Sequence, residues 1–331
     1  TKNIQGAVWM VFILFLGIMN TMVVDRFILL WVTSPLFTAI PFFWNTSLGA
    51  STGLLPEKES LKKRNRMSSS DLSYTTKGGQ VLAWRAEGHD NPVLFCSALA
   101  DITGSKAIRG GIPVCWPWFG PREGSAQHGI VRTAEWRLLR DETINGSQYV
   151  EIDLSSQHLP PSSWPYQWNL SMLITAATSF QLQLTTLNEG NEPFFITQAL
   201  HTYFLVGNIF DTQLSGLDRK KYIDKTKQNE RMTQQGLLTI GQEIDRVYLD
   251  TQLVRIHDTA NQRVMEVKSN QASSMVVWNP WEEKCRALAD LQNEDYKKFI
   301  CVEAANFPEE IGIEPGQSFT LDLEISVGVE A

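Results

Sequence analysis

The stretch SFQLQLTTLNEG, Ser179–Gly190, decides the fold. Phe180, Leu182 and Leu184 alternate with Gln181, Gln183 and Thr185. A period of two puts the apolar side chains on one face and the polar ones on the other, as in a half-buried β-strand. NEG then supplies turn chemistry. The same alternation returns in SFTLDLEISVGV, where Phe319, Leu321, Leu323 and Ile325 share a face.

Working outward, the segments GQVLAWRA, PVLFCSA, SQYVEIDLSS, NLSMLITAAT, PFFITQALHTYFLV, RVMEVKS and SSMVVWNPW read as further strands between Gly, Asn, Asp and Pro clusters. Many short strands with little helical period predict an all-β protein, a large antiparallel β-sandwich or barrel. Helix is expected only in short pieces, such as around EDYKKFI. With 331 residues, 43% of them hydrophobic, the chain can bury one large core or two smaller ones. There is no internal repeat, Walker loop or G-x-G-x-x-G signature.

The net charge of -7 argues against a nucleic-acid binder, which carries a basic face. Cys96, Cys115, Cys285 and Cys301 are scattered with no C-x-x-C pair, so reduced, buried thiols are expected rather than a zinc site.

The front of the chain differs. Gly6–Val24 holds no charged residue and matches the roughly 20 apolar residues of a membrane span. A second apolar run, Phe27–Trp44, is interrupted by prolines, and Lys62, Lys63, Arg64 and Arg66 follow. The expected organisation is an apolar, helical segment over 1–50, a polar basic linker over 51–71 and a β-sandwich catalytic domain over 72–331. Residues 6–44 are open to three readings: a membrane anchor, a removed targeting segment, or sequence upstream of an initiator at Met67.

Polar chemistry interrupts the apolar strands at five places. They are RGGIPVCWPWFGP with Arg109, QHGIVRTAEW with His128 and Arg132, and TQALHTYFLVG with His201. EIDRVYL brings Asp245 and Arg246, and FICVEAAN brings Glu303. Each alone reads as a satisfied core residue or a loop brace. Together, burying them costs several kcal/mol per charge unless they are paired or face a cleft. A polar cleft walled with aromatic side chains fits a sugar, whose apolar face packs on rings while its hydroxyls meet charged groups.

AIRGGIPVCWPWFGP, QHGIVRTAEW, ALHTYFLVG, EIDRVYL, VVWNPW and FICVEAA, in this order, resemble the glucose-6-phosphate 1-epimerase (hexose-6-phosphate mutarotase) group of the aldose 1-epimerase superfamily. The resemblance implies a galactose-mutarotase-like supersandwich and an isomerase that interconverts the anomers of hexose 6-phosphates without metal or other cofactor. It makes Glu303 the base that takes the C1 hydroxyl proton and His201 the acid at the ring oxygen. Asp245 then holds a sugar hydroxyl or orients His201, and His128 donates to sugar or phosphate. Arg109 and Arg132 clamp the phosphate, and the tryptophans of the proline-braced turn shield the sugar. A monomer with a cytoplasmic catalytic domain is expected, its only partner the small-molecule substrate, apart from membrane association through residues 6–44. The alternatives are an aldose 1-epimerase for free sugars, a carbohydrate-binding protein without catalysis and, through Asp245 as a second carboxylate, a glycosidase.

Overall fold

The structure is a computed structural model that describes residues 71–103, 105–160 and 163–329. The described residues lie in the compact unit formed by 57–331. The apolar segment and the basic linker expected before residue 71 lie outside the described residues.

Two large antiparallel sheets dominate. One has nine strands, from Leu238–Thr239 at one edge to Arg137–Ile144 at the other. At its middle Ser179–Asn188 pairs with Ser318–Val329, and Leu182 lies opposite Leu323. In that strand Phe180, Leu182 and Leu184 are buried and Gln181 and Gln183 exposed, as the alternation predicts.

The second sheet has eight strands. Its order is Glu230–Thr233, Lys221–Asp224, Ile244–Leu249, Ser274–Asn279, Phe299–Ile313, Phe194–Leu200 and Val114–Cys115, with Tyr203–Leu205 also pairing Phe299–Ile313. Its inward side chains, among them Ile196, Leu200, Val277 and Val302, share one core with Leu182, Leu184, Leu321 and Ile325 of the nine-stranded sheet. Its other face carries two separate apolar clusters. One gathers Cys115, Phe119, Ala199, Ile223, Val247, Val276 and Ala305; the other gathers Phe95, Tyr203, Trp278, Cys285, Phe299 and Cys301. A sheet apolar on both faces explains why SSMVVW and FICVEAA read as nearly continuous apolar runs rather than alternating ones.

Helix is scarce and short, as expected. EDYKKFI holds a 3-10 helix at Asp295–Lys297, and Trp281–Ala287 makes an α-helix that the sequence did not announce. The four cysteines are free; three are buried and Cys96 is partly exposed. Among the described residues no helix is long and apolar enough to cross a membrane.

The proline-braced turn plays a different part from the one expected of its tryptophans. Trp116 is fully buried, with its ring 4.9 Å from Trp164 and 4.4 Å from Trp168, and its indole N–H donates to Thr186 Oγ1 at 3.0 Å. Trp118 is buried too and donates to the Ala126 carbonyl at 2.9 Å. These rings anchor the turn to the core instead of covering a sugar. Trp116→Ala is therefore expected to cost about 3–5 kcal/mol of stability in a denaturant titration, the range for a large buried aromatic.

Candidate active site

The pleat of the eight-stranded sheet collects the polar residues. Directly opposed residues of antiparallel neighbours share a face. Asp245 lies opposite Trp278, and Glu303 opposite Val276, two residues along the same strand. All four side chains therefore point to one side. His201 falls at a break in strand pairing between Phe194–Leu200 and Tyr203–Leu205, both of which pair the strand that carries Glu303. The Thr202 N–H turns back to the Leu200 carbonyl at 2.8 Å, and the His201 N–H donates to Pro113 at 2.9 Å. That break tips His201 towards Glu303.

A cleft of about 180 Å³ opens between the two apolar clusters, and all six candidate residues line it: Arg109, His128, Arg132, His201, Asp245 and Glu303. At its floor His201 Nδ1 stands 3.4 Å from Glu303 Oε1. This is a contact rather than a made hydrogen bond, for His201 Nδ1 and Glu303 Oε2 are both buried without a hydrogen-bond partner. Tyr203 stacks on the imidazole at 4.9 Å with 12° between planes, and Trp278 meets its edge at 5.7 Å. Two aromatic neighbours thus fix the ring plane. Asp245 does not; its ion-pair partner is Lys225, at 3.4 Å.

Burial sets the charges. It pushes the Glu303 carboxyl well above the usual carboxylate range, with Asp245 adding to the rise and Lys225 and Arg132 opposing it. Burial also holds His201 well below the usual imidazole range, helped by His128, Arg132 and Arg109. The two directions agree. Burial disfavours the carboxylate and the imidazolium alike. Burial likewise raises Asp245, against Lys225 and Lys284.

His128 is pushed down to about 3, first by burial and then by Arg132, Lys225 and Arg109. Its backbone is left-handed, with φ 62°, and its Nδ1 accepts the Gly120 N–H at 3.1 Å. An accepting Nδ1 on a neutral ring leaves the proton on Nε2. Gln127 Nε2 lies 3.1 Å from that nitrogen, and since two N–H groups cannot bond each other, the amide bonds there only with its oxygen turned inward. Gly129 follows because a Cβ would sit 1.8 Å from the Trp116 carbonyl oxygen.

Arg109 is held on two sides. Its Nε donates to Asp290 at 3.0 Å and an Nη to the Tyr203 hydroxyl at 3.0 Å, linking it to the ring stacked on His201. Arg132 has one hydrogen bond, to the Gln127 carbonyl at 3.3 Å. Arg109, Arg132, Lys225 and Lys284 thus give one cleft four cations around the buried His201–Glu303 pair.

Reading the sequence missed Lys225, Tyr203, Asp290 and Gln127. A signal existed for two of them: Tyr203 lies two residues after His201 and Gln127 just before His128, within motifs already singled out. Lys225 and Asp290 sit in polar loops with no local mark. Among the described residues no group of three or more His, Cys, Asp or Glu side chains could hold a metal ion.

Known proteins resemble the chain over most of its length. A protein from Cenchrus ciliaris named "Putative glucose-6-phosphate 1-epimerase" is 33% identical over 260 residues, covering 75% of this chain and 79% of that protein. One of the same name from Escherichia coli is 32% identical over 237 residues, covering 70% of this chain and 79% of that protein. A crystal structure from Salmonella typhimurium, described as "a putative mutarotase", superposes with a TM-score of 0.74 at 28% identity, over 79% of this chain and 88% of that one. The Aldose 1-epimerase family profile matches residues 62–326, which takes in both large sheets up to the last strand and every residue of the cleft. By fold and by sequence over most of its length, the chain belongs to the aldose 1-epimerase family.

Proposed function

We propose that this enzyme is a glucose-6-phosphate 1-epimerase that interconverts the α and β anomers of hexose 6-phosphates by opening and reclosing the ring. Anomer exchange needs a proton taken from the C1 hydroxyl and one delivered to the ring oxygen. Glu303 takes the first and His201 delivers the second. The observation that carries the reading is the His201–Glu303 pair itself: two buried polar atoms without partners, at the floor of a cleft. Unsatisfied buried groups of this kind call for a functional explanation. The contact is long in this structure, and such contacts shorten when substrate binds.

The unpartnered atoms of the pair suit a proton relay. The Glu303 carboxylate accepts the C1 hydroxyl proton and passes it to His201 Nδ1 as His201 releases its Nε2 proton to the ring oxygen. The open aldehyde turns about C1–C2, and the reverse transfers close the ring on the other face. Asp245 accepts a sugar hydroxyl, and His128 donates from Nε2. Phe119 and Trp278, not the tryptophans of the turn, offer the apolar walls.

The names of the relatives and the cations of the cleft favour a phosphorylated sugar. Arginine forks suit phosphate oxygens. NMR exchange spectroscopy on glucose 6-phosphate and glucose, side by side, tests the proposal. Faster anomer exchange with the phosphosugar is expected, unaffected by chelator. A protein that accelerates only glucose is a free-aldose epimerase, and one that accelerates neither is a binder.

A further inference from the structure

EIDRVYL puts two charged residues side by side, and the proposed chemistry uses only Asp245. Arg246 has a separate place. Adjacent strand residues face opposite sides, so Arg246 leaves the cleft and turns through the sheet. There its Nε meets Asp224 Oδ2 at 3.3 Å and an Nη meets Gln234 Oε1 at 3.2 Å. Its guanidinium carbon lies 4.5 Å over the Tyr222 ring. Asp224 is 1% exposed and stands opposite Arg246 in the strand pairing. Its other oxygen accepts the Thr226 N–H at 3.1 Å and the Thr226 hydroxyl at 2.6 Å. Asp224 thereby caps the turn that begins at Lys225.

Lys225, one residue past Asp224, points back to the cleft side. Its ammonium sits 5.0 Å from the Phe119 ring, 5.8 Å from the Phe307 ring and 3.4 Å from Asp245 Oδ1. Two aromatic faces and a carboxylate confine it. A lysine that merely awaited a phosphate would not need this enclosure.

We infer that Lys225 is a positioning residue of the acid–base site: enclosed by Phe119, Phe307 and Asp245 on the wall of the cleft that Glu303 lines, its ammonium is a fixed positive charge for the cleft's carboxylates, and the Asp224–Arg246 pair behind the sheet holds it in place. The inference rests on the proposed acid–base chemistry and deepens it. The other charged and titratable groups lining the cleft with Glu303 are His201, His128, Arg109, Arg132, Asp245 and Lys284. The Lys225 charge favours the Glu303 carboxylate against burial, more than that of Arg132 does. Lys225, already held at Asp245, thus serves the carboxylates, and the arginines are left for the phosphate.

The test is the pH profile of kcat/KM for Lys225→Met and Lys225→Arg, with both sugars. An opposite charge lining the same cleft lowers a carboxyl pKa, by about one unit or more when it is close. Removing the cation raises the pKa, so the acidic limb of the profile should move up by about one pH unit or more in Lys225→Met, with glucose as with glucose 6-phosphate. Lys225→Arg keeps the charge and should restore the limb. Asp224→Asn, which loosens the turn without touching the cleft, should move it partway. Should Lys225→Met not fold, Lys225→Gln is read in the same way. Titration of the ¹³C-labelled Glu303 side-chain carboxyl, assigned by its loss in Glu303→Gln, gives the same displacement without turnover. It separates a failure of this inference from a failure of the proposed activity. An unmoved limb and carboxyl titration in the charge-removing variant would overturn the inference. So would a loss confined to the KM for glucose 6-phosphate, which would make Lys225 a third phosphate ligand.

Discussion

Glu303→Gln and His201→Asn are each expected to slow anomer exchange of glucose 6-phosphate by roughly 10²- to 10⁴-fold, the usual worth of a positioned acid or base. Glu303→Gln keeps the shape of the side chain and His201→Asn a smaller polar one, so the fold should survive, and the two losses should not multiply in the double variant. The residues relay one proton across a 3.4 Å contact, and deleting either disables the relay. The parent should show its own signature. Burial places the Glu303 carboxyl well above the ordinary carboxylate range. The base form is therefore lost as pH falls through that raised value, and the acidic limb of kcat/KM should lie above the ordinary carboxylate range. Glu303→Gln should remove that limb along with the rate. Near-normal exchange in either single variant would take that residue out of its role. A surviving limb in Glu303→Gln would assign it to another group, with Asp245 next in line because burial raises its carboxyl too.

Removing an arginine should separate phosphosugar from free sugar. A hydrogen bond to a charged group is worth roughly 1.5–3 kcal/mol. Since 1.4 kcal/mol is a factor of ten, Arg132→Ala should raise the KM for glucose 6-phosphate about tenfold or more. Glucose, which has no phosphate, should be little affected. Arg132 is the cleaner test because one carbonyl contact holds its side chain. Arg109→Ala should be less clean. Its guanidinium bonds the Tyr203 hydroxyl, and Tyr203 stacks on His201. Its removal should weaken phosphate binding and also loosen the imidazole, so some loss should appear in kcat with both sugars. Arg132→Lys should rescue only in part, because an ammonium cannot form the bidentate fork. Inorganic phosphate should compete with glucose 6-phosphate in the parent and much less in Arg132→Ala. Equal losses on both sugars in Arg132→Ala would mean that Arg132 holds the ring or the loop, and the preference for a phosphosugar would lose its physical basis.

The sequence by itself determined the architecture. Alternation is a local property, so FQLQLTTL and FTLDLEISV announced their buried faces from residue order, and those faces meet in the core. It also determined the composition of the cleft, since Arg109, His128, Arg132, His201, Asp245 and Glu303 all stand out where charge interrupts apolar strands. Only the tertiary structure decided what each of them touches. Whether Asp245 serves His201 or Lys225 depends on which strand lies beside Ile244–Leu249, and no residue within that strand carries this information. Trp116 and Trp118 looked like a sugar platform because aromatic side chains near a proline-braced turn read alike whether they face solvent or core. Burial of the whole turn sent them inward and left Phe119 and Trp278 at the cleft. Lys225 and Asp290 were illegible for the same reason: each sits in an ordinary polar loop. Their partners come from distant strands and loops, and pairing across a sheet is non-local, whereas the period of a strand is not.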